Sequence, residues 1–380
     1  MNLFKVFLLS LIVSACMSSK QNNNLKIAWD EPNDPLRFES LITEQRLDIL
    51  PLSGELESVP WSGDYWRALR TGTAYRWHPE YEGERIRYST LSPEELNSIS
   101  EKELSYLSPA EKYALFAGDF EFNFVKWERS RTRPSKKEWE GICHGWASAS
   151  INYAEPNPVA LPIKRPNGEK VELAFGSSDI KALLSYFQAV HATSQSFGIG
   201  RKCREELKTS SGLNNAGAEC QDTNAGSFHL LMTNLIGMKK QGFVIDVVAD
   251  KEVWNQPVFK FEASIGSPQT PSSSAAFGTV EERTVNTVLY YTKEKEPSWQ
   301  VHGEAGHAVQ KVEYTYSVEI DKDGKIIGGR WISYDRPDYI TMRIKPRDFI
   351  RRRRDGRVQS DYWAKIGEIL SASKEVSSQK

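Results

Sequence analysis

The sequence predicts an α+β protein: a mostly helical first part, then a sheet-rich second part with a mixed antiparallel sheet. Three observations carry this. Ser92-Pro93-Glu94-Glu95 and Ser108-Pro109-Ala110-Glu111 each put Ser at an N-cap, Pro in the first turn and Glu at the third helical position. The stretches 284–292, 309–320 and 325–333 alternate apolar and polar residues, with Asp323-Gly324 between the last two as a hairpin turn. Between these regions, Gly141-Ile142-Cys143-His144-Gly145 runs into Trp146-Ala147-Ser148-Ala149-Ser150, a cysteine at the start of a short helix.

The chain has 380 residues and a net charge of -1, so nothing in its charge draws it to nucleic acid. At the N-terminus, Lys5 precedes an apolar run over 6–13 that is too short to span a bilayer. The run ends in Val13-Ser14-Ala15-Cys16, which resembles a bacterial lipobox; an ordinary signal peptide cut near Ala15 is the alternative. The expectation is a lipoprotein signal peptide over 1–15, lipid on Cys16, and a tether and irregular arm over 16–50. That makes the protein exported and anchored to a membrane of the bacterial cell envelope. Export permits disulfides, and Cys203 with Cys220 would close a short loop worth about 3 kcal/mol in the chain-entropy model.

Residues 51–345 are expected to form the catalytic region, with a basic tail over 346–380. Pro60-Trp61-Ser62-Gly63-Asp64-Tyr65-Trp66 is an aromatic knot suited to packing or to one wall of a groove. Leu104, Leu107, Tyr113 and Phe116 give the early helices their apolar faces. The cations between 126 and 138 are either a solvated face or a source of positive potential near Cys143. Pro166-Asn167-Gly168 predicts a hairpin turn, and Ser178-Asp179 opens a helix. The segment 225–237 reads as a buried strand or as a helix capped by Ser227. Gly242 to Val248 reads as an interior strand with one carboxylate, Asp246, in it. Residues 263–278 look like an exposed loop, and 362–370 an amphipathic helix behind the run Arg351 to Arg354.

Cys143 is the candidate nucleophile. A helix start carries unpaired N–H groups and partial positive charge, which favour a thiolate and can hold an oxyanion. Cysteine acyl transfer also needs a histidine to carry the proton and a polar group to orient it. In chain order the sequence offers His229, then Asp246, Asp250 or Asn255. This order suits a papain-like or transglutaminase-like core. A tight turn at Gly237-Met238 sets Asp246 opposite His229, and a wider loop sets Asp250 there; the burial of Asp246 favours the first. His302 and His307 are the fallback bases, His144 is discounted as pointing elsewhere, and His78 and His191 lack partners. No phosphate loop, dinucleotide fingerprint or zinc spacing occurs, and Asp321-Lys322-Asp323-Gly324 lacks the remaining ligands of an EF-hand. No metal or other cofactor is expected, and a calcium requirement is not readable.

Val253-Trp254-Asn255-Gln256-Pro257-Val258 resembles the Pep-13 elicitor core of secreted oomycete transglutaminases. The preceding stretch from Asp246 also resembles that family, whose Asp matches Asp246 while Asp250 falls on a glycine. The resemblance extends to Pro60-Trp61 through Trp66, Gly141 to His144, and Gly328-Gly329-Arg330-Trp331 with Pro337-Asp338. It implies a protein-glutamine gamma-glutamyltransferase that forms isopeptide cross-links through a thioester on Cys143. His229 would be base and acid, Asp246 would orient it, and Trp139 and Trp254 would contact substrate. The partners would be proteins with accessible Gln and Lys, and a membrane through the lipid anchor. Two other readings stand beside this one: a cysteine peptidase or glutamine deamidase on the same triad, and a non-catalytic surface-binding lipoprotein.

Overall fold

Each Ser-Pro start forms a helix, and a third start lies between them. Helices α1 (Pro93–Ser98), α2 (Glu101–Ser105) and α3 (Pro109–Phe116) all close a capping box, through Ser92 with Glu95, Ser100 with Glu103 and Ser108 with Glu111. Each box satisfies two backbone donors at a helix end. The computed structural model describes residues 29–38, 40–134, 136–192, 196–201, 222–248, 252–353 and 357–378. The expected signal peptide, Cys16, Cys203, Cys220 and Asp250 lie outside these residues.

Helix α4 (Asn123–Arg131) uses the basic run structurally. Arg131 pairs with the buried Glu128, Arg129 donates to the carbonyls of Arg87 and Tyr88, and Lys136 pairs with Glu140 at 2.6 Å. Helix α5 (Cys143–Asn152) and helix α6 (Ser177–Val190) pack side by side. A side chain at Gly145 would stand 2.2 Å from the Ser185 carbonyl, so only glycine admits this approach. The predicted turn joins hairpin strands β2 (Val159–Lys164) and β3 (Lys170–Phe175).

The main sheet follows the short β1 (Ser53–Glu55). Its strands are β4 (Ser196–Gly200), β5 (Phe243–Asp246), β6 (Asn255–Ile265), β7 (Glu281–Thr292), β8 (Val309–Ile320), β9 (Ile326–Trp331) and β10 (Tyr339–Arg343). Their order is β4-β10-β5-β6-β7-β8-β9, with β1 beside the second half of β6. Every pairing is antiparallel. The strands expected from alternation over 284–292, 309–320 and 325–333 and the turn at Asp323-Gly324 are present, and Gly324 has φ of 79°. Among the described residues, no helix is long and apolar enough to cross a membrane.

The sheet separates two cores. One holds α3 to α6, the β2–β3 hairpin and the side chain of Val244. The expected amphipathic helix, α8 (Lys365–Ser378) with the turn before it, completes this core through Trp363, Ile366 and Ile369. The other core holds the flanking residues Phe243 and Ile245 together with a helix over 225–232. Adjacent residues of one strand thus point into different cores, which assigns a face to every side chain on β5.

The segment 225–237 resolves as helix. Helix α7 (Ala225–Met232) is capped by Asn224, whose carboxamide accepts from Gly226 N at 2.8 Å, and a π-turn continues it over Thr233–Lys239. Ser227 is not the cap; its hydroxyl donates to the Asn33 carbonyl. The register that set His229 opposite Asp246 on paired strands therefore does not exist. Asp246 pairs with Asn255 of β6 instead.

Candidate functional site

Cys143 is held from both sides. The aromatic knot fixes the approach to its helix: Ile142 N donates to the Tyr65 carbonyl at 2.7 Å, and Ala68 N to the Glu140 carbonyl at 2.8 Å. A side chain on Gly141 would meet the Tyr65 carbonyl at 2.4 Å. Trp61, Trp66 and Trp146 are fully buried around this brace. The knot thus serves packing, and that packing positions the cysteine.

On the other side stand the ends of β10, β5 and β6. Asp246 shares the face of Val244, toward α5, and Asn255 lies beside it across the ladder. Ile340 pairs with Ile245 and lies in the opposite core, so its neighbour Tyr339 also faces α5. Three adjacent strand ends therefore present Tyr339, Asp246 and Asn255 in one row beneath Cys143.

Both hydrogen-bond partners of the thiol come from the Val253-Trp254-Asn255 tripeptide. Asn255 Nδ2 donates to Cys143 Sγ at 3.3 Å, and Sγ donates to the Val253 carbonyl at 3.5 Å. Trp254 N donates to Asp246 Oδ1 at 3.2 Å, which ties the tripeptide to β5. Tyr339 Oη donates to Asn255 Oδ1 at 3.1 Å. Burial pushes the thiol up to about 11; the nearby carboxylates Glu294 and Asp246 add to this, and the Asn255 bond opposes it. The thiol at rest is protonated. Alkylation of Cys143 by iodoacetamide is accordingly expected to accelerate about tenfold per pH unit from pH 7 to 10. A rate that levels off near pH 8 would contradict this.

Cys143 opens onto a cavity of about 450 Å³ lined also by Trp139, Gly141, His144, Asn255, Tyr339, Thr341 and Arg343. Trp139 also borders a second cavity of about 510 Å³, with Tyr65, Arg67, Lys137, Glu138, Glu252 and Trp254. Trp254 packs edge-on to Tyr65 at 5.3 Å and donates to Glu252 at 2.9 Å, and it is half-buried. The two tryptophans expected to meet substrate thus border adjoining hollows beside the thiol.

The histidine expected as base is elsewhere. His229 is buried in α7, on the opposite face of the sheet from Cys143, with Nδ1 2.7 Å from Tyr316 Oη. Tyr316 in turn meets Thr287 at 2.9 Å. Desolvation lowers the His229 imidazole to about 4, so it is a neutral core group. The strand pairing that would have set it opposite Asp246 fails because the buried segment takes the helical of its two readings. His302 and His307 gather around Glu155: His302 N donates to its carboxylate at 2.8 Å, and His307 Nδ1 accepts from Ser62 N at 3.3 Å. Neither lines the Cys143 cavity. His144 does line it, but burial lowers its imidazole to about 3 and it bonds to the Ala189 backbone. Among the described residues, no group of three His, Cys, Asp or Glu side chains is placed to hold a metal ion.

Tyr339 escaped the sequence reading. Its signal was the alternation Tyr339, Ile340, Thr341, Met342, Arg343, in which the odd positions line the cavity and the even ones fill a core. Asn255 reads in the sequence as an orienting third member, and the structure makes it a partner of the sulfur.

Comparisons with known proteins bear on the family and the fold. The transglutaminase elicitor family model matches residues 132–348, more than half of the chain, spanning Cys143, the tripeptide and Tyr339. The fold is similar to the crystal structure of the GP42 transglutaminase from Phytophthora sojae, with 20% identity and a TM-score of 0.63. That likeness covers 91% of this chain and 99% of the other. No curated protein sequence matches the chain. The chain belongs to the transglutaminase elicitor family.

Proposed function

We propose that this protein is a protein-glutamine gamma-glutamyltransferase acting through a thioester on Cys143. One observation carries the reading: the cysteine at the start of α5 shares its hydrogen bonds with a tripeptide inside the family string. The sulfur attacks the carboxamide carbon of a protein glutamine. The C–N bond breaks, ammonia leaves with the thiol proton, and a thioester forms. A lysine amine then attacks the thioester, and the thiol returns as the isopeptide bond closes. First-turn N–H groups of α5 and the Asn255 carboxamide are the donors for the oxyanion. Asp246, on the same face as the sulfur, is assigned to pass the proton to the leaving ammonia. Trp139 and Trp254 would contact the two protein chains.

The papain-like character of the core belongs to this proposal, and rests on a helix-borne cysteine facing an antiparallel sheet. Export, lipid on Cys16 and a Cys203–Cys220 bridge are proposed from the sequence alone.

The test supplies a glutamine-bearing protein and a fluorescent primary amine. Covalent incorporation of the amine with release of ammonia is the expected result. Ammonia or peptide released without incorporation would make water the acceptor and the protein a deamidase or peptidase. No turnover at all would leave a binding protein.

A further inference from the structure

Three hydrogen bonds run in one direction through the site. The thiol donates to the Val253 carbonyl at 3.5 Å, so its sulfur lone pairs face the other way and accept Asn255 Nδ2 at 3.3 Å. That contact turns Asn255 Oδ1 away from the sulfur, and Oδ1 accepts from Tyr339 Oη at 3.1 Å. A carboxamide can rotate by half a turn and present oxygen in place of nitrogen. With Oδ1 toward the sulfur, Asn255 would repel a thiolate instead of holding it. The Tyr339 hydroxyl opposes this by donating to Oδ1 on the far side from the sulfur.

We infer that Tyr339 is a positioning residue for the acyl transfer proposed above: its hydroxyl locks the Asn255 carboxamide with nitrogen toward Cys143, and so sets the reactivity of the sulfur. The inference rests on that proposal for the reaction, and on the hydrogen-bond geometry for the thiol. Tyr339 suits the task. It stands at the start of β10, where Asp338 N donates to the Asp246 carbonyl at 3.2 Å, so the backbone holds it in place. Burial raises its phenol far above the ordinary range and keeps it protonated. The phenol therefore donates at every pH at which the thiol titrates. The charged and titratable groups around the sulfur are Asp246 on β5, Glu294 beyond β7, Tyr339 and Arg343 on β10, and His144 on α5 itself. Of these, Tyr339 bonds to the Asn255 oxygen.

The test measures the rate of Cys143 alkylation against pH in the full chain for Tyr339→Phe, Asn255→Ala and the double variant. Removing the hydroxyl is expected to slow alkylation at pH 8 about tenfold and to move the titration up by about one unit. Asn255→Ala should do the same, and the double variant should match Asn255→Ala alone. In amine incorporation, Tyr339→Phe should lower kcat with KM for the glutamine protein unchanged. Tyr339→Leu distinguishes ring from hydroxyl: if packing were the role, Phe would restore what Leu loses. A wild-type alkylation profile in Tyr339→Phe, or additive losses in the double variant, would overturn the inference. Alkylation needs no transfer. A coupled alkylation profile in a protein without amine incorporation would therefore uphold the role of Tyr339 and refute the proposed reaction.

Discussion

Cys143→Ala is expected to abolish amine incorporation, a loss on the order of a thousandfold or more. The variant removes the sulfur that would form the thioester, while a methyl group fills part of the same buried space at the start of α5. Cys143→Ser is the sharper comparison. A serine hydroxyl keeps a partner for Asn255 but ionises far less readily than a thiol, and it too should be inactive. Rates are read from fluorescent amine bound to the glutamine protein, with thermal unfolding run alongside. Incorporation surviving in both variants would end the thioester mechanism.

The largest expected effect on stability lies at Asp179. Its carboxylate sits in the first turn of α6, fully buried, and takes three donors: Lys112 Nζ at 2.6 Å, Trp77 Nε1 at 2.8 Å and Gly176 N at 2.7 Å. Asp179→Ala strands a buried ammonium, an indole N–H and a backbone N–H at once. Breaking one side of such a buried pair costs about 3–5 kcal/mol. Lys112→Met combined with Asp179→Leu should cost less, because no charge is left behind. Urea unfolding followed by tryptophan fluorescence measures both. A loss for Asp179→Ala of under about 1 kcal/mol, the range of exposed pairs, would show that water reaches the site. The consequence extends to function. Helix α6 is the surface against which α5 lies at Gly145, so loosening its start loosens the helix that carries Cys143.

Much of the fold was legible because its signals are local. Ser92, Ser108 and their glutamates cap helices within four residues, and the hairpin at Pro166-Asn167-Gly168 needs only its own turn geometry. Alternation over 284–292 and 309–320 announces strands because side chains on a half-buried sheet repeat every two residues. The segment 225–237 was not legible in this way. It is buried almost throughout and mixes apolar residues with Ser227, His229, Thr233 and Asn234, so neither period stands out, and its packing against β8 and β9 makes it a helix.

By itself the sequence determined that Cys143 begins a helix, that Asp246 lies in a buried strand, and that the 253–258 string carries a family likeness. Each of these depends on neighbours in the chain. The tertiary structure decided who meets the sulfur. His229 and Asp246 are equally buried, yet one lies in each core, because the face of a residue follows from the register and packing of whole elements. Asn255 reaches Cys143, and Tyr339 reaches Asn255, because β6 and β10 flank β5 and end level with it, on the side where α5 packs. A shift of one residue in either strand would turn its side chain to the opposite core. Cross-strand register is set by long-range pairing, and for that reason the partners of the thiol became visible only in three dimensions.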